Sequence, residues 1–188
     1  MSLMASGTGR REIQISHMRL KDVLQGQNHK NEAAYILNIP KAKQRGATFR
    51  SSFNQLQITE ELWTILNMQS NAVKKRFSEH FKTTIPSHIL IELPLFPDYQ
   101  VLHEVDSISK LESLLSVDIL HIASKTVTVS AKKIVQVANI YSERTGELLK
   151  MTSRRFRYTT GTRAAREGFG VMIIAELICP RFDGHLLT

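Results

Sequence analysis

The 188-residue chain has only one cysteine, Cys179, so no disulfide can form within it. That excludes the disulfide scaffolds of small secreted domains and favours a reducing setting: cytoplasm, nucleus or the interior of a virion. Long hydrophobic runs are also missing. The longest strongly apolar stretch, residues 171–179, contains Glu176 and is far too short to span a bilayer. The N-terminus lacks the apolar core of a secretory signal, and residues 1–9 read as a loose, small and polar tail. Glycine and proline, at nine and five residues, are too few for a collagen-like chain. With 42% hydrophobic and 22% charged residues, the chain can bury a real core.

Catalytic and metal-binding signatures are scarce as well. The seven histidines are His17, His29, His80, His88, His103, His121 and His185. None forms a His-x-x-x-His or His-Glu-x-x-His pair, and no second cysteine is available, so no zinc site is expected. No Gly-x-x-x-x-Gly-Lys or Gly-x-Gly-x-x-Gly element is present. Cys179 sits in an apolar run and reads as a buried structural thiol rather than a nucleophile. No cofactor is implied.

What the chain does have is positive charge in blocks. Its net charge is +8, yet residues 1–50 carry +6, 51–85 carry +1, 86–124 carry −5, 125–166 carry +8 and 167–188 carry −2. Basic and acidic blocks on one molecule suit an anionic partner, or the self-association of unlike faces. The plain alternative is an ordinary solvated surface.

Periodicity gives the expected elements. Residues 31–40 hold a short apolar run that fits a strand or one helical turn, and 41–46 read as a basic loop. Residues 48–58 fit a strand. The clearest helix is expected from about residue 60 to 82, with Thr59 as N-cap and Leu62, Ile65, Leu66, Val73, Phe77 and Phe81 along one face. Residues 106–115 fit a short helix capped by Ser107. From residue 88 the period becomes two, giving strands at 88–95, 115–122, 125–140, 147–159 and 171–179. In 125–140, Val127, Val129, Ala131, Val135 and Val137 share a parity, as in a sheet with one wet face. Residues 142–146 read as a hairpin turn, and a bulge at Ser153-Arg154 reconciles the parities of the returning strand. The expected fold is α+β: a basic, flexible N-terminal segment (1–30), then a single globular domain (31–188) with one long amphipathic helix and a mainly antiparallel C-terminal sheet.

The densest cationic stretch supplies the candidate site. Arg154, Arg155 and Arg157, with Arg163 and Arg166 beyond, offer planar guanidinium forks suited to phosphate. On a strand, Arg155 and Arg157 face water while Phe156 and Tyr158 face the core, which favours phosphate or acidic-surface contact over base stacking. Lys132 joins this group, with Lys133 on the opposite strand face. Lys74, Lys75 and Arg76 form a further cluster on the long helix. Asp118 and His121, three apart on a strand, are expected to diverge.

Two families come into view. The stretch 116–160, with its Thr145-Gly146-Glu147 turn between two expected strands, resembles the last strands of a hotdog-fold acyl-CoA thioesterase. That resemblance implies an enzyme whose arginines hold the CoA phosphates. The layout of the whole chain resembles a plant rhabdovirus-type matrix protein in size, basicity, positive N-terminal region, helix after an early strand, and expected C-terminal sheet. The residues Phe169-Gly170-Val171-Met172-Ile173 are similar to a late strand of that family. This second resemblance implies a non-enzymatic structural protein that self-associates and binds RNA, ribonucleoprotein or an anionic membrane face. A protein-binding adaptor, docking a basic partner on the acidic 86–124 block, is the third reading.

Overall fold

The computed structural model describes residues 1–27, 29–41 and 50–178. In chain order its elements are α1 (Ser2–Thr8), α2 (Glu12–Ser16), a 3-10 turn at Leu20–Asp22, β1 (Val23–Gln27), β2 (Ala33–Pro40) and β3 (Phe53–Ile58). Then follow α3 (Glu60–Phe81), α4 (Ser87–Leu90), α5 (Tyr99–Leu102), α6 (Ile108–Ser116), α7 (Thr126–Val137), α8 (Ser153–Arg166) and α9 (Val171–Ile178). The protein is mixed helix and sheet. Its contacts divide it into two compact units, where the sequence suggests one domain from residue 31. A sheet unit comprises Ser16–Ala123, and a helical unit joins Met1–Ile15 to the chain from Ser124 onward.

In the sheet unit, β1, β2 and β3 form one antiparallel sheet in sequential order, with Val23 opposite Leu37 and Leu37 opposite Leu56. The run at 33–40 is therefore a strand, and its Leu37 and Ile39 are buried. Helix α3 starts on Thr59, whose side chain accepts from the Leu62 N–H. Leu66, Ser70, Val73 and Phe77 form its buried stripe. Leu62, Ile65 and Phe81, expected on that stripe, are only partly covered or exposed. The expected loop at 42–46 and the start of the 48–58 strand lie outside the described residues.

Two expected strands in this unit are not strands. Residues 88–95 open as α4, which buries Ile89, and Leu93 and Leu95 are buried from the irregular backbone that follows. Only a single bridge, Arg19 to Pro94, is strand-like, flanked by Leu20 N–H to Leu93 O (2.9 Å) and Leu95 N–H to Met18 O (2.8 Å). Residues 115–122 are the end of α6 and a turn in which Asp118 takes a left-handed backbone (φ 57°). The reason is α6 itself. Ser107 caps it, accepting from the Lys110 N–H, and Leu111 and Leu115 are buried one helical turn apart.

The helical unit departs furthest from expectation, because it contains no C-terminal sheet among its described residues. Residues 125–140 form α7. Val127, Ala131 and Val135 are buried, and a spacing of four fits either a strand face or a helix face. The residues that separate the two periods are Val129 and Val137, which are 57% and 75% exposed. β-branched side chains raise strand propensity, but here packing overrides it. Residues 147–159 divide between an irregular return and α8, where Thr152 caps the helix by accepting from the Arg155 N–H, so no bulge exists at Ser153-Arg154. Residues 171–178 form α9, not a buried strand, with Val171 and Met172 exposed at its start. Cys179 lies outside the described residues.

The turn at 142–146 is present. Ser142 N–H bonds Glu147 O (2.8 Å), Tyr141 bridges Leu148, and Gly146 takes φ 67°. It joins two helices instead of two long strands. Residues 1–9, read as a loose tail, form α1, which buries Met4 and Ala5 against α7 and α8. Gly9 ends that helix with φ 60°, and a Cβ there would lie 3.2 Å from the Thr160 side chain.

Candidate anion-binding face

Helix α8 carries Arg154, Arg155, Arg157, Arg163 and Arg166 and no acidic residue. Its inner side is made of small residues, with Gly161 and Ala164 buried. Small residues let α8 approach α1 closely, and they turn the long side chains outward. At 100° per residue, Arg155, Thr159, Thr162 and Arg166 fall along the outer stripe, with Tyr158 and Arg163 beside it. Arg154, Arg155, Arg163 and Arg166 are exposed, and Arg157 is half-buried. The four exposed arginines have no ion-pair partner among the described residues.

The helix dipole sharpens the picture. Arg163 and Arg166 occupy the last turn, where cations are favoured. Arg154 and Arg155 occupy the first turn, where the dipole disfavours them and no acid offsets them. A local rule broken without structural gain is a mark of a functional position. An anion near this end meets both the guanidinium groups and the positive helix end. From Arg155 to Arg166 the stripe extends about 16 Å, longer than one phosphate and suited to a polymer.

The structure corrects how these side chains are presented. They lie on a helix, not on a hairpin arm. Tyr158, assigned to the core by strand parity, is 64% exposed, whereas Phe156 is half-buried. Lys132 and Lys133, expected on opposite strand faces, are both exposed on α7 in the same unit. Lys74, Lys75 and Arg76 lie exposed on α3 of the sheet unit, and the ion pair found for them among the described residues is a 3.9 Å one between Lys75 and Glu79. Exposed helix pairs of this kind contribute a few tenths of a kcal/mol. The candidate cations thus fall into two groups on different units.

A second polar constellation, in the sheet unit, carries no local sequence signal. Arg19 binds Glu92 and also Asp118 (2.8 Å), and Lys21 joins Glu92. The 115–122 turn brings His121 Nε2 within 3.2 Å of Asp118, where strand spacing would have separated them. His121 Nδ1 lies 2.9 Å from the Ser16 carbonyl, and its ring stacks on His17. Burial alone would raise the Asp118 carboxyl, but His121 and Arg19 beside it outweigh that and hold it far below the carboxylate range. Glu92 is likewise lowered, its burial outweighed by Lys21 and Arg19. Arg50 and Asp22 form a pair at 2.9 Å whose side chains are only 8% and 3% exposed. Several of these groups border a cavity of about 400 Å³.

Among the described residues, no three His, Cys, Asp or Glu side chains are placed to hold a metal ion. No helix among them is long and apolar enough to cross a membrane. No protein-family model matches the chain, and no curated protein matches it significantly, so its family rests on no relative and its function must be argued from the face described above.

Proposed function

We propose that this is a non-enzymatic protein that binds nucleic acid along its phosphate backbone through the outer face of α8. One observation carries this reading: four exposed arginines on one helix, none paired, with no carboxylate on that helix. Guanidinium groups grip phosphate bidentately, and a 16 Å stripe (about that, at helical rise) reaches several phosphates of a chain. Tyr158 on the same surface offers a ring for stacking an unpaired base. The reading places RNA first among the ligands. An assembly role of the kind that matrix-protein layout implies adds self-association.

Less supports the competing readings. The strands on which the thioesterase resemblance rested are α7 and α8. The acidic block at 86–124 spends Glu92 and Asp118 on internal ion pairs, which leaves less charge for a basic partner. The C-terminal sheet that the matrix-type layout implies is absent among the described residues.

The test is a salt titration with labelled single-stranded RNA, duplex DNA and anionic vesicles side by side. Four phosphate contacts give a loss of roughly 50- to 150-fold in affinity between 50 and 200 mM salt. Absence of RNA and DNA binding at low salt overturns the proposal. Binding to vesicles alone replaces it with a membrane-surface role.

A further inference from the structure

Beyond the 142–146 turn, residues 148–152 return alongside α7 within the helical unit and enclose a cavity of about 430 Å³. The floor is apolar: Val135 is buried, and Leu149 and Met151 are half-buried. The rim is basic on both sides, with Lys132 on the helix and Lys150 on the returning segment, both exposed. Among the described residues no carboxylate and no aromatic ring lines it. Leu148 at its edge is more than a third exposed, and Val137, Ile140 and Tyr141 on the same stretch of chain also face water. An exposed leucine at the edge of a concave apolar floor marks a contact surface.

We propose that this groove docks an acidic amphipathic segment of a partner protein, with its aliphatic side chains on the floor and its carboxylates on Lys132 and Lys150. Charge complementarity selects the occupant, since the lining holds two cations and no anion. Glu147 pairs with Lys150 at 3.4 Å, but both are largely exposed, so a partner carboxylate can displace it at little cost. A bilayer is the alternative that the vesicle arm of the test decides. Nucleic acid fits less well, because an aliphatic floor gives its bases nothing to stack on. Met151 and the leucines can repack around anchors of different shape. The site uses none of the α8 arginines, although Lys132 is also one of the candidate cations of this unit.

The experiment uses the full chain and fluorescence anisotropy. The probe is a labelled helical peptide of about 15 residues, four turns, built of Leu and Glu in an amphipathic repeat. Its control carries Lys in place of Glu. The acidic peptide is expected to bind saturably, and the basic one not at all. K132E/K150E should weaken binding by about tenfold, Leu148→Ser should weaken it too, and R155A/R163A should leave it unchanged. If K132E/K150E does not fold by circular dichroism, K132Q/K150Q replaces it, with a smaller loss expected. Equal binding of both peptides, or undiminished binding to the lysine variants, overturns the proposal. So does self-association that the lysine variants abolish in sedimentation, which makes a second copy the occupant. Vesicle binding lost in the same variants overturns it in favour of a lipid surface.

Discussion

Two clusters of arginines, one in each unit, treat charge in opposite ways. In the sheet unit Arg19 and Arg50 turn inward and are matched by Glu92, Asp118 and Asp22. In the helical unit Arg154, Arg155, Arg163 and Arg166 turn outward and are matched by nothing described. Charge held by internal partners contributes to fold specificity at most. Charge left unmatched on one helix is available for a ligand. A count of basic residues does not distinguish these cases, but their partners do.

The largest contrast should appear in stability. Arg50→Ala leaves Asp22 buried without its cation and should cost about 3–5 kcal/mol, whereas Arg155→Ala should stay within about 0.5 kcal/mol of wild type. Urea unfolding of both variants measures this directly. Equal losses would erase the distinction between inward and outward arginines.

Binding should show the reverse order. R155A/R163A should reduce RNA affinity by at least about tenfold near 100 mM salt, while K74A/K75A on α3 should change it much less. Anisotropy titrations at fixed salt decide the matter. A larger loss for the α3 variant would move the interface to the other unit.

Acid should separate the units by another route. Asp118 and Glu92 have pKa values held below those of an unfolded chain. Below its unfolded value each carboxyl is protonated in the unfolded chain but still ionised in the fold. Their contribution is therefore full above the ordinary carboxylate range and declines as pH falls toward the lower folded values. Asp118→Asn should flatten the decline in stability with falling pH. An unchanged acid limb would show that the Arg19 cluster does not set it.

A modest effect is expected at the cap of α8. Thr152→Ala removes the acceptor for the Arg155 N–H and should cost about 1 kcal/mol. Thermal unfolding should register it, and a shift in RNA affinity beyond that of stability would show that the cap also orients Arg155.

How much of this the sequence could reveal differs between the units for a physical reason. Helix α3 is legible because Thr59, Glu60 and Glu61 mark its start and its buried residues recur over three turns and more. Helix α7 is not, since Val127, Ala131 and Val135 satisfy two periods at once and the valines between them add strand propensity. That error carried into α8, where strand parity hid Tyr158 in a core it does not enter. The α8 arginines themselves were legible from charge density alone. The Arg19 cluster was not, because its members lie some 70 to 100 residues apart and only the fold brings them together.

The central claim is that unmatched arginines on α8 hold the phosphates of a nucleic acid. Its most direct test is the slope of log affinity for single-stranded RNA against log salt, measured for wild type and R155A/R163A. Two lost phosphate contacts should make the slope shallower by roughly 1.4. An identical slope, whatever the affinity, would contradict the claim.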